Sequence, residues 1–188
     1  HQNGDIAPNT YLIDLDAVRE NAREIKRCGD RYGIEQYVMT KQCNRNPSMI
    51  KTFMEEGLDK AVAVDIICIN NLQKRGMALG HVGHLVQVPR HQVKRVLKMS
   101  PEVWTVYGYE NAGFISEGAE KLGMEQDLLV KVIGPDDVAY TSQEGGIPLE
   151  RVVEEVERIN KLRGVNVVGT SGFPTILFNE ESNSIKPV

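Results

Sequence analysis

The sequence is short of cysteine, holds no long apolar run and carries no excess of positive charge. Cys28, Cys43 and Cys68 are its three cysteines. An odd, widely spaced set excludes a disulfide framework and reads as reduced thiols rather than a zinc site. No apolar stretch nears the roughly 20 residues needed to cross a bilayer. The N-terminus lacks the basic-then-apolar order of a secretory signal, so the expected compartment is the cytoplasm. The 22 Lys and Arg are interspersed among 26 Asp and Glu, for a net charge of -4 and a pI near 5.6. That leaves no electrostatic footprint for nucleic acid or an anionic membrane, and neither is expected as a partner.

What is present is an ordinary globular composition, 41% hydrophobic and 26% charged over 188 residues. That suits a packed core, at a length somewhat above one domain of roughly 150 residues. Short, nearly continuous apolar runs at 37–42, 61–65, 84–88, 103–107, 128–133 and 165–170 alternate with helix-like stretches. Such runs are what strands buried on both faces of a parallel sheet require. The clearest helix covers 148–162, with Val152, Val153, Val156 and Ile159 as its apolar stripe and Glu154, Glu155, Glu157 and Arg158 opposite. Gly29, Gly57, Gly76, Gly123 and Gly164 stand where helices should end. A further strand is expected at 11–15, followed by a helix through Ala17, Arg19, Ala22 and Ile25.

Successive βα units with right-handed crossovers give either an open doubly wound sheet or a closed barrel. An open dinucleotide-binding sheet calls for a glycine-rich loop after its first strand. Lys41-Gln42-Cys43-Asn44-Arg45-Asn46-Pro47 contains no glycine, so the expected fold is an α/β (β/α)8 TIM barrel. Six units are visible against eight, and a full barrel needs roughly 250 residues. The expectation is therefore a barrel incomplete in this chain, with residues 17–188 forming its partial body and 1–16 a separate N-terminal segment. His1 and Val188 read as cut edges.

A barrel binds its ligand beyond the carboxyl ends of its strands. Lys41, Gln42, Asp65, Gln87, Tyr107, Lys131, Thr170 and Ser171 all fall there. Lys41 closes an apolar strand, where an ammonium is costly to desolvate without a partner. As a base or Schiff-base amine its pKa must fall from about 10.4 to roughly 7 or 8, a differential of about 4 kcal/mol. As a rim residue its stem would cover the barrel while its head reaches water. Gly80-His81-Val82-Gly83-His84-Leu85-Val86-Gln87 places two histidines and a glutamine around one strand. No further Cys, His or Asp at ligand spacing joins them, so no metal is expected. One histidine reads as a satisfied core residue and the other as facing the mouth. The loop with Gln143 and Glu144 reads as a lid, a substrate contact or a surface excursion. Phe173 reads as a ring at the mouth or as core, and Cys43 as a spectator or a thiol beside a cation.

Tyr11-Leu12-Ile13-Asp14-Leu15-Asp16-Ala17-Val18 with Asn21, followed by Val38-Met39-Thr40-Lys41, resembles the opening of the alanine racemase family of fold type III pyridoxal-phosphate enzymes. The segment from Gly80 to Val96 also looks like the third-strand signature of the YggS-type cofactor-homeostasis proteins. The chain most resembles the YhfX-type branch, through Met39-Thr40-Lys41-Gln42, Arg45-Asn46-Pro47, Gly80 to Gln87, Ile133-Gly134-Pro135-Asp136-Asp137, Gln143-Glu144-Gly145-Gly146 and Thr170-Ser171-Gly172-Phe173-Pro174.

The resemblance implies a pyridoxal 5'-phosphate cofactor, with Lys41 forming the internal aldimine and then acting as base at an amino-acid α-carbon. His84, Gln87, Thr170, Ser171 and Phe173 join Lys41 as cofactor-binding candidates. Arg45, Asn46, Tyr107, Lys131, Gln143 and Glu144 are the substrate or loop candidates. Where alanine racemases carry a tyrosine-glycine-histidine-glycine motif, Cys43-Asn44-Arg45-Asn46 stands here, so Arg45 or Asn46 takes that place. Phe173 replaces the ring-stacking histidine, and the arginine after strand five is absent. These departures point away from alanine as substrate. The resemblance further implies that the N-terminal strand joins a C-terminal β-domain. It places the phosphate loop, the pyridine-facing arginine and that β-domain beyond Val188, in a homodimer. The expected function is a racemase-like enzyme acting on an amino acid or derivative. The alternatives are a cofactor-binding protein without fast turnover and an inactive fragment of either.

Overall fold

The computed structural model describes residues 4–135, 137–138, 140–141 and 145–187. Its body is a parallel sheet in which β1 (Val38–Met39), β2 (Lys60–Ala63), β3 (Ala78–Val82), β4 (Val103–Val106) and β5 (Gln126–Ile133) pair in chain order. β5 then pairs β7 (Val165–Ser171), and the two-residue β6 (Ile147–Pro148) pairs Val132 and Ile133 at its end. Helices α1 (Leu15–Tyr32), α2 (Pro47–Glu55), α3 (Ile66–Lys74), α4 (Val93–Leu97), α5 (Tyr109–Leu122) and α6 (Val152–Ile159) alternate with these strands. A separate antiparallel hairpin, β8 (Ile176–Asn179) with β9 (Ser184–Pro187), follows. This is the expected barrel, incomplete: six main parallel strands, the first five of them each followed by a helix. No helix among the described residues is long and apolar enough to cross a membrane.

Strand alternation sorts the residues onto two faces. Ala61, Ala63, Val82, Trp104, Val106, Leu128 and Val130 are buried beneath helices that contribute Ile69, Leu72, Val96, Ala112, Ile115 and Ile159. Each large member of this layer contributes about 1.5–3 kcal/mol by leaving water. The opposite face looks into the barrel, where His81 is in register with Val62 and Val103, and Thr105 with Leu129.

Several expected elements form elsewhere. The segment 11–15 makes no strand: Tyr11 is 95% exposed, and among the described residues it has no ladder partner. Asp14 instead caps α1, its carboxylate accepting from the amides of Asp16 and Ala17 at 3.0 and 3.1 Å. Gly29 does not end α1. It lies inside the helix, where the side chain of Gln36 fills the space a Cβ would need, and Gly33 forms the left-handed cap. In α6, Val153 is exposed and Glu155 buried, because Arg151 and Arg158 bind its carboxylate at 3.1 and 2.6 Å and offset the loss of water. The third strand runs over Ala78–Val82 rather than 84–88. Gly83 ends it at φ +76, and a Cβ there would stand 2.6 Å from the Thr105 carbonyl. The residues expected as strand become the loop above it.

Candidate functional site

The loop beyond β3 builds one wall of the barrel mouth. Gln87 folds back so that its amide donates to the Gly83 and Thr105 carbonyls, at 2.7 and 3.1 Å. The Tyr107 hydroxyl donates to the His84 carbonyl at 2.8 Å. These bonds fix the His84 ring over the interior, 5.1 Å from the His81 ring and 5.2 Å, edge-on, from Phe173. Tyr140 lies 5.9 Å beyond Phe173 and completes an aromatic strip.

Below the strip the interior is polar where barrels usually pack branched aliphatics. His81 Nε2 is 2.6 Å from Thr105 Oγ1, and Thr105 Oγ1 is 3.3 Å from Ser171 Oγ. Burial pushes His81 down to about 4, with the neighbouring His84 adding to the shift. Burial also lowers His84, helped by the nearby cations Lys131 and Lys41. Both imidazoles are therefore neutral at pH 7. Among the described residues His84 Nδ1 is buried without a hydrogen-bond partner.

Two lysines stand within electrostatic reach of His84. Lys131, on β5, is 1% exposed, and its ammonium lies 5.0 Å from the centre of the Tyr107 ring. Lys41 follows β1 by two residues, in the turn beyond it, and is exposed. The expected buried strand over 37–42 is only two residues long, so Lys41 sits in the turn that follows and meets water. Its head therefore reaches water at the rim.

Not every candidate reaches this place. Thr170 is exposed on the opposite face of β7 from Ser171, as strand alternation demands. Asn46 caps α2, its Oδ1 accepting from Ser48 and Met49 at 3.0 and 3.1 Å. Arg45, at φ +56, pairs with Asp65 at 3.5 Å across the rim between β1 and β2. Asp65 itself caps α3. Gln143 and Glu144 lie outside the described residues. Among the described residues no three His, Cys, Asp or Glu side chains converge to hold a metal ion. Sequence reasoning missed Thr105, whose signal was a hydroxyl at an inward position of the otherwise apolar Val103-Trp104-Thr105-Val106.

A parallel sheet of this order, with its polar mouth at the carboxyl ends, is a partial (β/α)8 barrel of the alanine racemase type. The comparisons agree on that class. The chain is 37% identical over 186 residues to the uncharacterized protein YhfX of Escherichia coli (strain K12), covering 99% of this chain and 48% of that one. It thus spans about half the length of the curated relative it matches. Among solved structures it resembles alanine racemase of Clostridium difficile 630 in complex with cycloserine, at TM-score 0.53 and 26% identity over 65% of this chain and 32% of that chain. It also resembles diaminopimelate decarboxylase from M. jannaschi, at TM-score 0.74 over 95% of this chain and 45% of the other. Identity to the decarboxylase is 14%, and that likeness shows the fold alone. No protein-family model matches the chain.

Proposed function

We propose that the complete protein is a pyridoxal-phosphate-dependent, racemase-like isomerase acting on an amino acid or derivative, as a cytoplasmic homodimer. One observation carries the reading. Lys41 is an accessible amine at the rim of the mouth, within electrostatic reach of a neutral histidine whose Nδ1 has no hydrogen-bond partner among the described residues. The residues present suit the cofactor: a primary amine for its aldehyde, an aromatic strip at His84 and Phe173 for its ring, and hydroxyl and imidazole groups for its polar substituents.

When bound, pyridoxal phosphate supplies an electrophilic aldehyde and a ring that takes up the charge of a carbanion. The chain's own residues do the rest. Lys41 would hold the cofactor through its aldehyde and would hold or move the proton at the substrate α-carbon. His84 and Phe173 form the wall that orients the flat ring, with Gln87 holding the loop that carries His84. Ser171 offers a hydroxyl at the floor. Lys131 lies buried beside the Tyr107 ring in the wall of the mouth. The phosphate loop, the pyridine-facing arginine and a β-domain contribution from the partner complete the proposed enzyme from outside this chain.

Solvent-deuterium exchange at the α-carbon, run over a panel of amino acids with the cofactor-loaded protein, tests the reading. Exchange with at least one member, abolished in Lys41→Ala, is expected. A protein that takes up cofactor through Lys41 yet exchanges none is a binding protein, and one that takes up no cofactor is neither.

A further inference from the structure

A polar chain crosses the barrel interior below the mouth, from His81 on β3 through Thr105 on β4 to Ser171 at the end of β7. Its two inner members are shielded: Thr105 is fully buried and His81 is 8% exposed. Burying three polar side chains where valine or isoleucine would pack costs free energy unless each is hydrogen-bonded. Among the described residues their side chains bond in the order His81, Thr105, Ser171, and Ser171 stands at the carboxyl end of β7.

We infer that His81 is a positioning residue that acts through the Thr105 hydroxyl to fix the direction of the Ser171 hydroxyl toward the ligand. A neutral imidazole nitrogen either donates or accepts, according to its tautomer. If Nε2 donates to Thr105, the Thr105 proton goes to Ser171 and the Ser171 proton points into the mouth. If Nε2 accepts, the chain reverses and Ser171 presents lone pairs. The state of one ring thereby sets what a residue in β7 offers. The rings of Tyr37, at 6.5 Å, and His84, at 5.1 Å, lie beside it, and burial keeps it uncharged at pH 7. His81 acts through Thr105 rather than on the ligand, so its role is positioning. Its use rests on the reading that pyridoxal phosphate seats above Ser171.

The test reads the ring directly. In the complete protein labelled with 15N-histidine, the His81 ring signals are those lost in His81→Gln. Ser171→Ala is expected to shift the His81 ring nitrogens in the absence of any cofactor, and to shift them again in a Thr105→Ser background, which keeps the hydroxyl. In Thr105→Val the same change should leave them unmoved. Ring signals indifferent to Ser171→Ala in the wild-type background overturn the inference. That outcome does not depend on whether Thr105→Val folds.

Adding pyridoxal phosphate separates this inference from the functional reading. His81 signals that move on addition in wild type and Thr105→Ser, but not in Thr105→Val, support both. Signals coupled to Ser171 but deaf to the cofactor keep the chain and remove its proposed ligand. Cofactor uptake with no coupling does the reverse.

Discussion

The two ends of the partial barrel are built on different terms. At the amino ends of the strands, Lys60 sits between Glu35 and Glu102 at 2.9 and 2.8 Å. The buried Gln126 amide donates to the carbonyls of Pro101 and Asp127 at 3.0 and 3.1 Å. At the carboxyl ends, Thr40 Oγ1, Arg45 Nε and His84 Nδ1 are buried without hydrogen-bond partners among the described residues. Asn44 and Arg45 hold positive φ there, and a lysine is buried in the wall. One end satisfies its polar groups and the other leaves groups unmet, which is how stability and ligand binding divide in a barrel. Substitutions at the two ends should therefore separate folding from activity.

The largest effect is expected at Lys41. Lys41→Ala should lower α-proton exchange by at least about 10^2- to 10^4-fold while moving the unfolding free energy by no more than about 0.5 kcal/mol, since the side chain is exposed. Parallel kinetics and urea denaturation check both halves. A destabilisation above about 2 kcal/mol would make Lys41 structural and break the contrast.

Acid should act next, and at the mouth. The folded pKa of His81 is lowered to about 4, below the ordinary value near 6.5, so the unfolded chain binds the proton first. The stability is full above about pH 6.5 and is lost as pH falls toward 4, by up to about 3 kcal/mol. His84 is shifted in the same direction. Denaturation midpoints measured across that window should fall, and should flatten in His81→Gln.

At the other end, Gln126→Ala should cost about 1–3 kcal/mol, because it removes a buried amide and strands the carbonyls it served. Catalysis per folded molecule should not change. Lys60→Met, which removes a partly exposed ion pair, should cost about 1 kcal/mol or less and lose its effect in high salt.

The fold was more legible in the sequence than the site. Apolar runs and helix-ending glycines mark the units because burial on both faces and left-handed caps impose those patterns locally. Gly57, Gly76, Gly123 and Gly164 all take positive φ. What failed had a longer-range cause. Residues 84–88 read as strand by composition, yet Gly83 ends the strand and the loop is held by Gln87 reaching the carbonyls of Gly83, just past β3, and of Thr105 on β4. Glu155 read as solvent-facing, yet two arginines carry it inward.

At the site, strand ends were visible and side-chain direction was not. Ser171 and Thr170 are neighbours in sequence and face opposite ways. Asn46 looked like a ligand residue and is a helix cap, a role its place before Pro47 announces. Thr105 looked like core filler, and only the register of four strands brings it between His81 and Ser171.

The most direct test asks which amine takes the cofactor. The complete protein, incubated with pyridoxal phosphate and reduced with borohydride, should carry the pyridoxyl group on Lys41 when its peptides are mapped by mass. A label on Lys131, or no label on either lysine, would contradict the account.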